Sequence, residues 1–309
     1  MLSRVAERLY WSARYLERVE NTARLIMVYN DLLYDLPRDI AISWYNLIEI
    51  NRGMALFAES YTDNGERNVL KFLLADDNNP GSLLSSLKMV RENIRTTRDA
   101  VPAEMWELIN ELDIYAQKNI QRAINRSDRH TYLNTIIEGC QKIIGLLAGS
   151  MSRDCGWHFL NIGCYLERAD MNTRILDAAI TLMLQSREEE SVRLGRVVWS
   201  KVLSSQSAYL RFRRNMHCSI NGAQVVTLLL GDEHFPRSQR YCLQQLKHSA
   251  SELPHGEAVS GLVDQLLSNT RRVSQSKELN LEFSSYLNDI QLAIIALNNQ
   301  ITSNWFRFL

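Results

Sequence analysis

Tyr15-Leu16-Glu17-Arg18-Val19-Glu20-Asn21-Thr22-Ala23-Arg24-Leu25 decides how this chain is read, because the pattern occurs twice. The second copy is Tyr165-Leu166-Glu167-Arg168-Ala169-Asp170-Met171-Asn172-Thr173-Arg174-Ile175, 150 residues later in a chain of 309. Both obey Tyr-Leu-Glu-Arg-x-acid-x-x-x-Arg-aliphatic. A helix turns about 100° per residue, so Glu17, Glu20, Asn21 and Arg24 share one face with Tyr10. Leu16, Val19, Ala23 and Ile26 fall on the opposite face, and Arg18 projects to the side near Arg14. The second copy repeats this, with Glu167, Asp170 and Arg174 together and Leu166, Ala169 and Thr173 behind them.

Composition makes helices the expected frame. Hydrophobic residues are 46% and charged residues 23%, which is globular and not disordered. Only 13 Gly and 5 Pro interrupt the chain, which favours long helices over many short strands. Net charge is zero, with 35 basic and 35 acidic residues, so nothing pulls the whole molecule toward nucleic acid or an anionic membrane. The five cysteines, Cys140, Cys155, Cys164, Cys218 and Cys242, include no C-x-x-C pair. Reduced, buried thiols in a cytoplasmic protein are expected. Met1-Leu2-Ser3-Arg4-Val5-Ala6-Glu7-Arg8 has no apolar stretch of the signal-peptide kind. No run is long enough to span a membrane, and Leu292-Ala293-Ile294-Ile295-Ala296-Leu297 reads as a buried helical face.

In chain order, Ser3 is the expected cap of a helix running to about Tyr34. Asp35-Leu36-Pro37-Arg38-Asp39 breaks it, since Pro37 disfavours a helical Leu36. The next helix runs past Trp44 to about Ser60, and a short one covers Val69 to Leu74. Ser82 caps a helix through Met89, Ile94 and Arg98, and Pro102 opens another through Ile120. A helix from about Asp128 to Leu147 completes the first half. In the second half a long helix covers Cys155 to Gln185, and one starting at Glu188-Glu189-Glu190 runs through Leu210. Asn221-Gly222 is a turn, Val225 to Leu230 is short and apolar, and helices follow to Leu253, to Arg272 and from Leu279 to Trp305.

The match between halves extends beyond the motif. Trp44 and Trp199 each mark an apolar helix after it. Leu74-Ala75-Asp76-Asp77-Asn78-Asn79-Pro80-Gly81-Ser82 aligns with Leu230-Gly231-Asp232-Glu233-His234-Phe235-Pro236-Arg237-Ser238. The expected architecture is therefore all-α: an internally duplicated helical bundle with the two Glu-Arg helices central. Residues 1–150 form one repeat and 151–309 the other, within one compact domain.

Three readings of the motif compete. Glu20 with Arg24, and Asp170 with Arg174, are helical i,i+4 pairs that suit a solvated face. Alternatively, Glu of one copy pairs with Arg of the other at the centre and sets the register of the halves. In the third reading Arg18, Arg24, Arg168 and Arg174 line a cavity and clamp a carboxylate or phosphate. Glu17, Glu20, Glu167 and Asp170 would there hold an amine or act as acid or base. A di-metal site is disfavoured: it lacks Glu-x-x-His, and arginines crowd the acids, so no metal or cofactor is expected. Asp76-Asp77 sits in a Pro-Gly loop, the histidines have no metal spacing, and no phosphate-binding Gly motif or nucleophile elbow occurs. The charged run Arg91-Glu92-Asn93-Ile94-Arg95 with Arg98-Asp99 reads as a solvated face or a partner surface.

Glu7-Arg8-Leu9-Tyr10-Trp11, the two Glu-Arg motifs, and Arg91-Glu92-Asn93 with Arg98-Asp99 and Trp106 together resemble the bacterial Alpha-E family. The resemblance covers essentially the whole length. It implies an all-helical protein that partners a circularly permuted ATP-grasp ligase and a transglutaminase-like peptidase, sometimes beside a proteasome-like hydrolase. The implied role is an accessory one in peptide synthesis or modification, as a binding platform. No catalytic residue carries across. The alternative is an enzyme acting on a carboxylate, amine or phosphate substrate in a central Glu/Arg cavity.

Overall fold

The computed structural model describes residues 1–35, 42–185, 188–215, 219–273 and 278–306. These form fourteen α-helices and no strand. In the first half they are α1 (Ser3–Asp35), α2 (Asn46–Ile50), α3 (Met54–Ser60), α4 (Glu66–Leu74), α5 (Leu83–Arg95), α6 (Ala103–Ile124) and α7 (Arg129–Ser150). In the second half they are α8 (Cys155–Gln185), α9 (Glu188–Ser205), α10 (Tyr209–Asn215), α11 (Gly222–Gly231), α12 (Gln239–Ser251), α13 (Glu257–Val273) and α14 (Leu281–Ile301). A 3-10 turn, Arg98–Ala100, precedes α6, and a π turn, Thr302–Phe306, follows α14.

The two motif helices pack on each other, and the other elements are laid around them. α5 and α7 cover α1, and α12 and α14 cover α8. α9 reaches across to α1, and α2 reaches across to α8. The crossing of α1 and α8 is close because Gly163 has no side chain. A Cβ there would collide with the Tyr10 carbonyl oxygen and crowd Ala13. The consequence is burial on both faces of each motif helix. Leu16, Val19 and Ala23 are buried as the apolar stripe requires, but Glu17, Glu20 and Asn21 are buried too. The solvated-face reading of the motif is thereby overturned.

Several helix boundaries differ from the sequence expectation. The helix expected from Trp44 to Ser60 is split into α2 and α3, and that expected through Leu210 into α9 and α10. Arg52 (φ 54°) and Ser207 (φ 53°) adopt left-handed backbone at the two breaks. At the first, Arg52 N–H donates to the Glu49 carbonyl and Gly53 N–H to that of Ile48, both at 2.9 Å. At the second, Ser207 N–H donates to Ser204 at 3.0 Å and Ala208 N–H to Leu203 at 2.7 Å. This paired-bond stop normally places glycine at the left-handed position, so Arg and Ser there gave no sequence signal.

Other corrections are smaller. Ser3 lies inside α1, whose first turn is anchored by the Leu2 carbonyl accepting from Ala6 N–H at 3.1 Å. α4 opens at Glu66, and α5 ends at Arg95, short of Arg98. Asn221 caps α11, its side chain accepting from Gln224 N–H at 3.0 Å, so Gly222 begins a helix instead of completing a turn. Ser82 does cap α5, and Ser238 caps α12 in the same way. In α14, Ile294 and Leu297 are buried but Leu292 and Ile295 are exposed, so that run is only half a core face. The break expected at Asp35-Leu36-Pro37-Arg38-Asp39 lies, past Asp35, outside the described residues. Among the described residues no helix is long and apolar enough to cross a membrane.

Candidate functional site

Glu17 and Glu167 stand where α1 and α8 cross, 1% and 2% exposed. A lone carboxylate so placed is very costly, so its partners decide whether the fold is possible. Each has two guanidiniums. Glu167 Oε1 accepts from Arg18 Nε at 2.7 Å, and its Oε2 accepts from Arg14 Nε at 2.7 Å and Arg18 Nη2 at 3.1 Å. Glu17 Oε1 accepts from Arg237 Nη1 at 2.8 Å. Its Oε2 lies 2.9 Å from Arg168 Nε, an ion contact off the N–H direction, and 3.4 Å from the donating Cys164 thiol. The two Glu-Arg dipeptides thus exchange partners: each Glu meets the Arg of the other helix.

The second acid of each motif also pairs within its own helix. Glu20 pairs with Arg24 at 2.7 Å and Asp170 with Arg174 at 2.6 Å. Arg237 also bridges to Glu20 and to the Asn21 amide oxygen, both at 2.9 Å. Arg24 donates to Ser207 Oγ at 2.7 Å, so the left-handed stop after α9 is tied to α1. On the opposite side, Arg14 Nη1 donates to Asn298 Oδ1 at 2.7 Å, and Tyr10 OH donates to the same atom at 2.6 Å. All eight predicted residues therefore take part in ion pairs on α1 and α8, in three networks: Glu17, Glu20, Arg24 and Arg168 joined through Arg237, Glu167 with Arg18 and Arg14, and Asp170 with Arg174.

Electrostatics follow from these distances. Burial alone would raise the Glu17 carboxyl, but Arg168 and Arg237 outweigh it and hold the pKa at about 2. For Glu167 the same burial is outweighed by Arg18 and Arg14, again to about 2. Burial pushes the Cys164 thiol well up and the Cys242 thiol up to about 12. At neutral pH Glu17 and Glu167 are therefore ionised, with protonated thiols beside Glu17.

Three cluster members lay outside the sequence expectation: Arg237, Asn298 and, in its role, Arg14. Arg237 had one available signal. It occupies, in the matched Pro-x-Ser loops, the position that Gly81 holds in the first half. Other sequence candidates take structural places. Asp76 accepts from Tyr61 OH at 2.7 Å and from Asn78 N–H at 3.0 Å within its loop. Arg98 stacks 3.8 Å over the Trp106 ring and Arg91 5.5 Å from it. Cys218 lies outside the described residues. Among the described residues no group of three or more His, Cys, Asp or Glu side chains is placed to hold a metal ion.

Cavities flank the cluster. One of about 230 Å³ is walled by apolar side chains including Met105, Leu147 and Leu160, and touches Glu17, Cys164 and Arg168. A second, also about 230 Å³, is lined by Arg18, Arg52, Gly81, Glu167 and Arg174. A third, about 420 Å³, shares Arg52 and Arg174 with the second.

A family model described as a predicted alpha-helical domain with a conserved ER motif, Alpha-E, matches residues 1–306. The uncharacterized protein Mb2597 of Mycobacterium bovis is 26% identical over 305 residues, covering 89% of this chain and 33% of that protein. Rv2567 of Mycobacterium tuberculosis is 25% identical with the same coverage. The chain spans about a third of the length of the curated relatives it matches. No solved structure matches. With helices throughout, its two Glu-Arg dipeptides at the crossing of α1 and α8, and a match over nearly its whole length, the chain belongs to the Alpha-E family.

Proposed function

We propose that this protein is a non-catalytic partner of an ATP-grasp-type peptide synthesis or modification system, acting in the cytoplasm as a helical binding platform. The platform is a duplicated helical unit, residues 1–150 and 151–309, whose halves are locked by the exchanged Glu-Arg pairs. A ligase and a transglutaminase-like peptidase are its partners. The observation that carries this reading is the ion pairing of the central acids. Glu17, Glu20, Glu167 and Asp170 all hold guanidiniums. Glu17 and Glu167 are driven to about 2, away from the neutral range that a general acid or base needs. Cys164 and Cys242 are driven up, away from the thiolate a nucleophile needs. The matched relatives, in which this unit is about a third of the chain, support a module that works alongside other parts.

The enzyme reading draws on the cavity at Glu17, Cys164 and Arg168. The same pKa directions weigh against it. The test is to mix the purified chain with the ATP-grasp ligase from the same source, and to follow complex formation and ATP turnover. A stable complex that changes turnover is expected, and Glu17→Gln should not abolish that change unless it unfolds the chain. Absence of a complex, or turnover of a peptide substrate by the isolated chain, would contradict the proposal.

A further inference from the structure

The halves use matching parts, with one exchange in the matched Pro-x-Ser loops. Ser82 and Ser238 cap α5 and α12 at the ends of matched loops. Just before them stand Gly81 and Arg237. Arg52 and Ser207 hold the matched left-handed stops after α2 and α9. In the second half the Arg237 guanidinium fills the space beside Glu17, Glu20 and Asn21. In the first half Gly81 sends no side chain toward Glu167, and a cavity of about 230 Å³ stands in that place.

No acid is left there to receive a cation. Both Glu167 oxygens are taken by Arg14 and Arg18. Both Asp170 oxygens are taken by Arg174. The cavity is lined by three arginines, Arg18, Arg52 and Arg174, of which Arg18 is paired with Glu167 and Arg174 with Asp170. Among the described residues Arg52 has no carboxylate partner, and it donates to the neutral Gln291 amide. Its left-handed backbone is unusual for an arginine, and strain of this kind is worth a functional explanation. Ser207 at the matching stop is neutral and accepts from Arg24.

The geometry points to an oxyanion seat in this cavity: a carboxylate or phosphoryl group held by Arg52 with Arg18 and Arg174, where the other half carries its own guanidinium. Forked N–H donors suit both groups. The volume holds several waters at about 30 Å³ each. It is below the roughly 300 Å³ at which drug-sized pockets begin. The ligand is therefore a small anion or the charged end of a longer molecule. The neighbouring cavity of about 420 Å³, sharing Arg52 and Arg174, leaves room for the remainder. The seat does not rest on any ligase partnership, and either proposal can fail without the other.

Calorimetric titration of the full chain in chloride buffer tests it, with inorganic phosphate in one arm and acetate in the other. Saturable binding at one site is expected in at least one arm. Phosphate alone assigns a phosphoryl ligand, and acetate alone a carboxylate. Arg52→Gln should weaken binding about tenfold or more, as expected for a lost charge-assisted hydrogen bond. Gly81→Arg, which supplies the missing guanidinium, should abolish it. Arg95→Gln, on the exposed side of α5, should change nothing. Circular dichroism checks that each variant is folded. If Gly81→Arg does not fold, Arg52→Gln decides alone. No saturable binding in either arm, or binding unchanged in folded Arg52→Gln, overturns the proposal.

Discussion

Glu167 is almost fully buried and binds Arg14 and Arg18, so removing its charge leaves the buried Arg14 guanidinium and the partly exposed one of Arg18 without their carboxylate. Breaking one side of a buried pair costs about 3–5 kcal/mol. Glu167→Gln should lose stability on that scale in urea unfolding, and a loss under 1 kcal/mol would contradict the assigned pairing. The same two carboxylates set a pH dependence. Their folded values, about 2, lie below the ordinary 4.5. Their contribution is therefore complete above about pH 4.5 and is lost as pH falls toward 2, by up to roughly 3 kcal/mol each. Unfolding followed from pH 7 to pH 2.5 should be flat down to about 4.5 and then fall, more steeply than in the Glu17→Gln, Glu167→Gln double variant. At this scale the sequence revealed the acids and half of their partners. Repetition of Glu-Arg at one spacing is enough to suggest that the copies face each other. Arg237 was hidden because its contact with Glu17 spans 220 residues, and no local pattern encodes a reach of that kind.

At the scale of elements, the α1–α8 crossing depends on close backbones. Gly163→Ala places a methyl against the Tyr10 carbonyl, and the atom it meets is α1 backbone, which cannot swing aside as a flexible side chain would. A loss of about 1–3 kcal/mol is expected, as for an overpacked core. Unchanged thermal unfolding would mean that the helices cross farther apart. The caps make a matched pair of tests. Ser82→Ala and Ser238→Ala each remove an acceptor for a first-turn N–H, so each should cost about 1 kcal/mol. Ser82 was readable in advance as a cap before Leu83-Leu84, whereas Ser238, followed by Gln239-Arg240, was legible only as its counterpart in the matched loop. The stops at Arg52 and Ser207 were not, because neither residue type announces a left-handed backbone. The long helices α1 and α8 were legible from their periodicity. Their burial on both faces was not, since charged residues at regular spacing look the same in water or against another helix.

For the whole molecule, the arrangement resolves a conflict in the composition. A chain with equal numbers of acids and bases has charges to spare, and this one spends some of them at its centre. The ions there contribute little net stability compared with a well-packed apolar core, but they tolerate only one alignment of α1 against α8. The central claim is that Glu and Arg of opposite helices are energetically coupled. A double-mutant cycle on Glu167 of α8 and Arg18 of α1, read by equilibrium unfolding, tests it most directly. A coupling energy of about 1–3 kcal/mol is the predicted result. Additivity within about 0.5 kcal/mol would place the two side chains in separate environments and contradict the account.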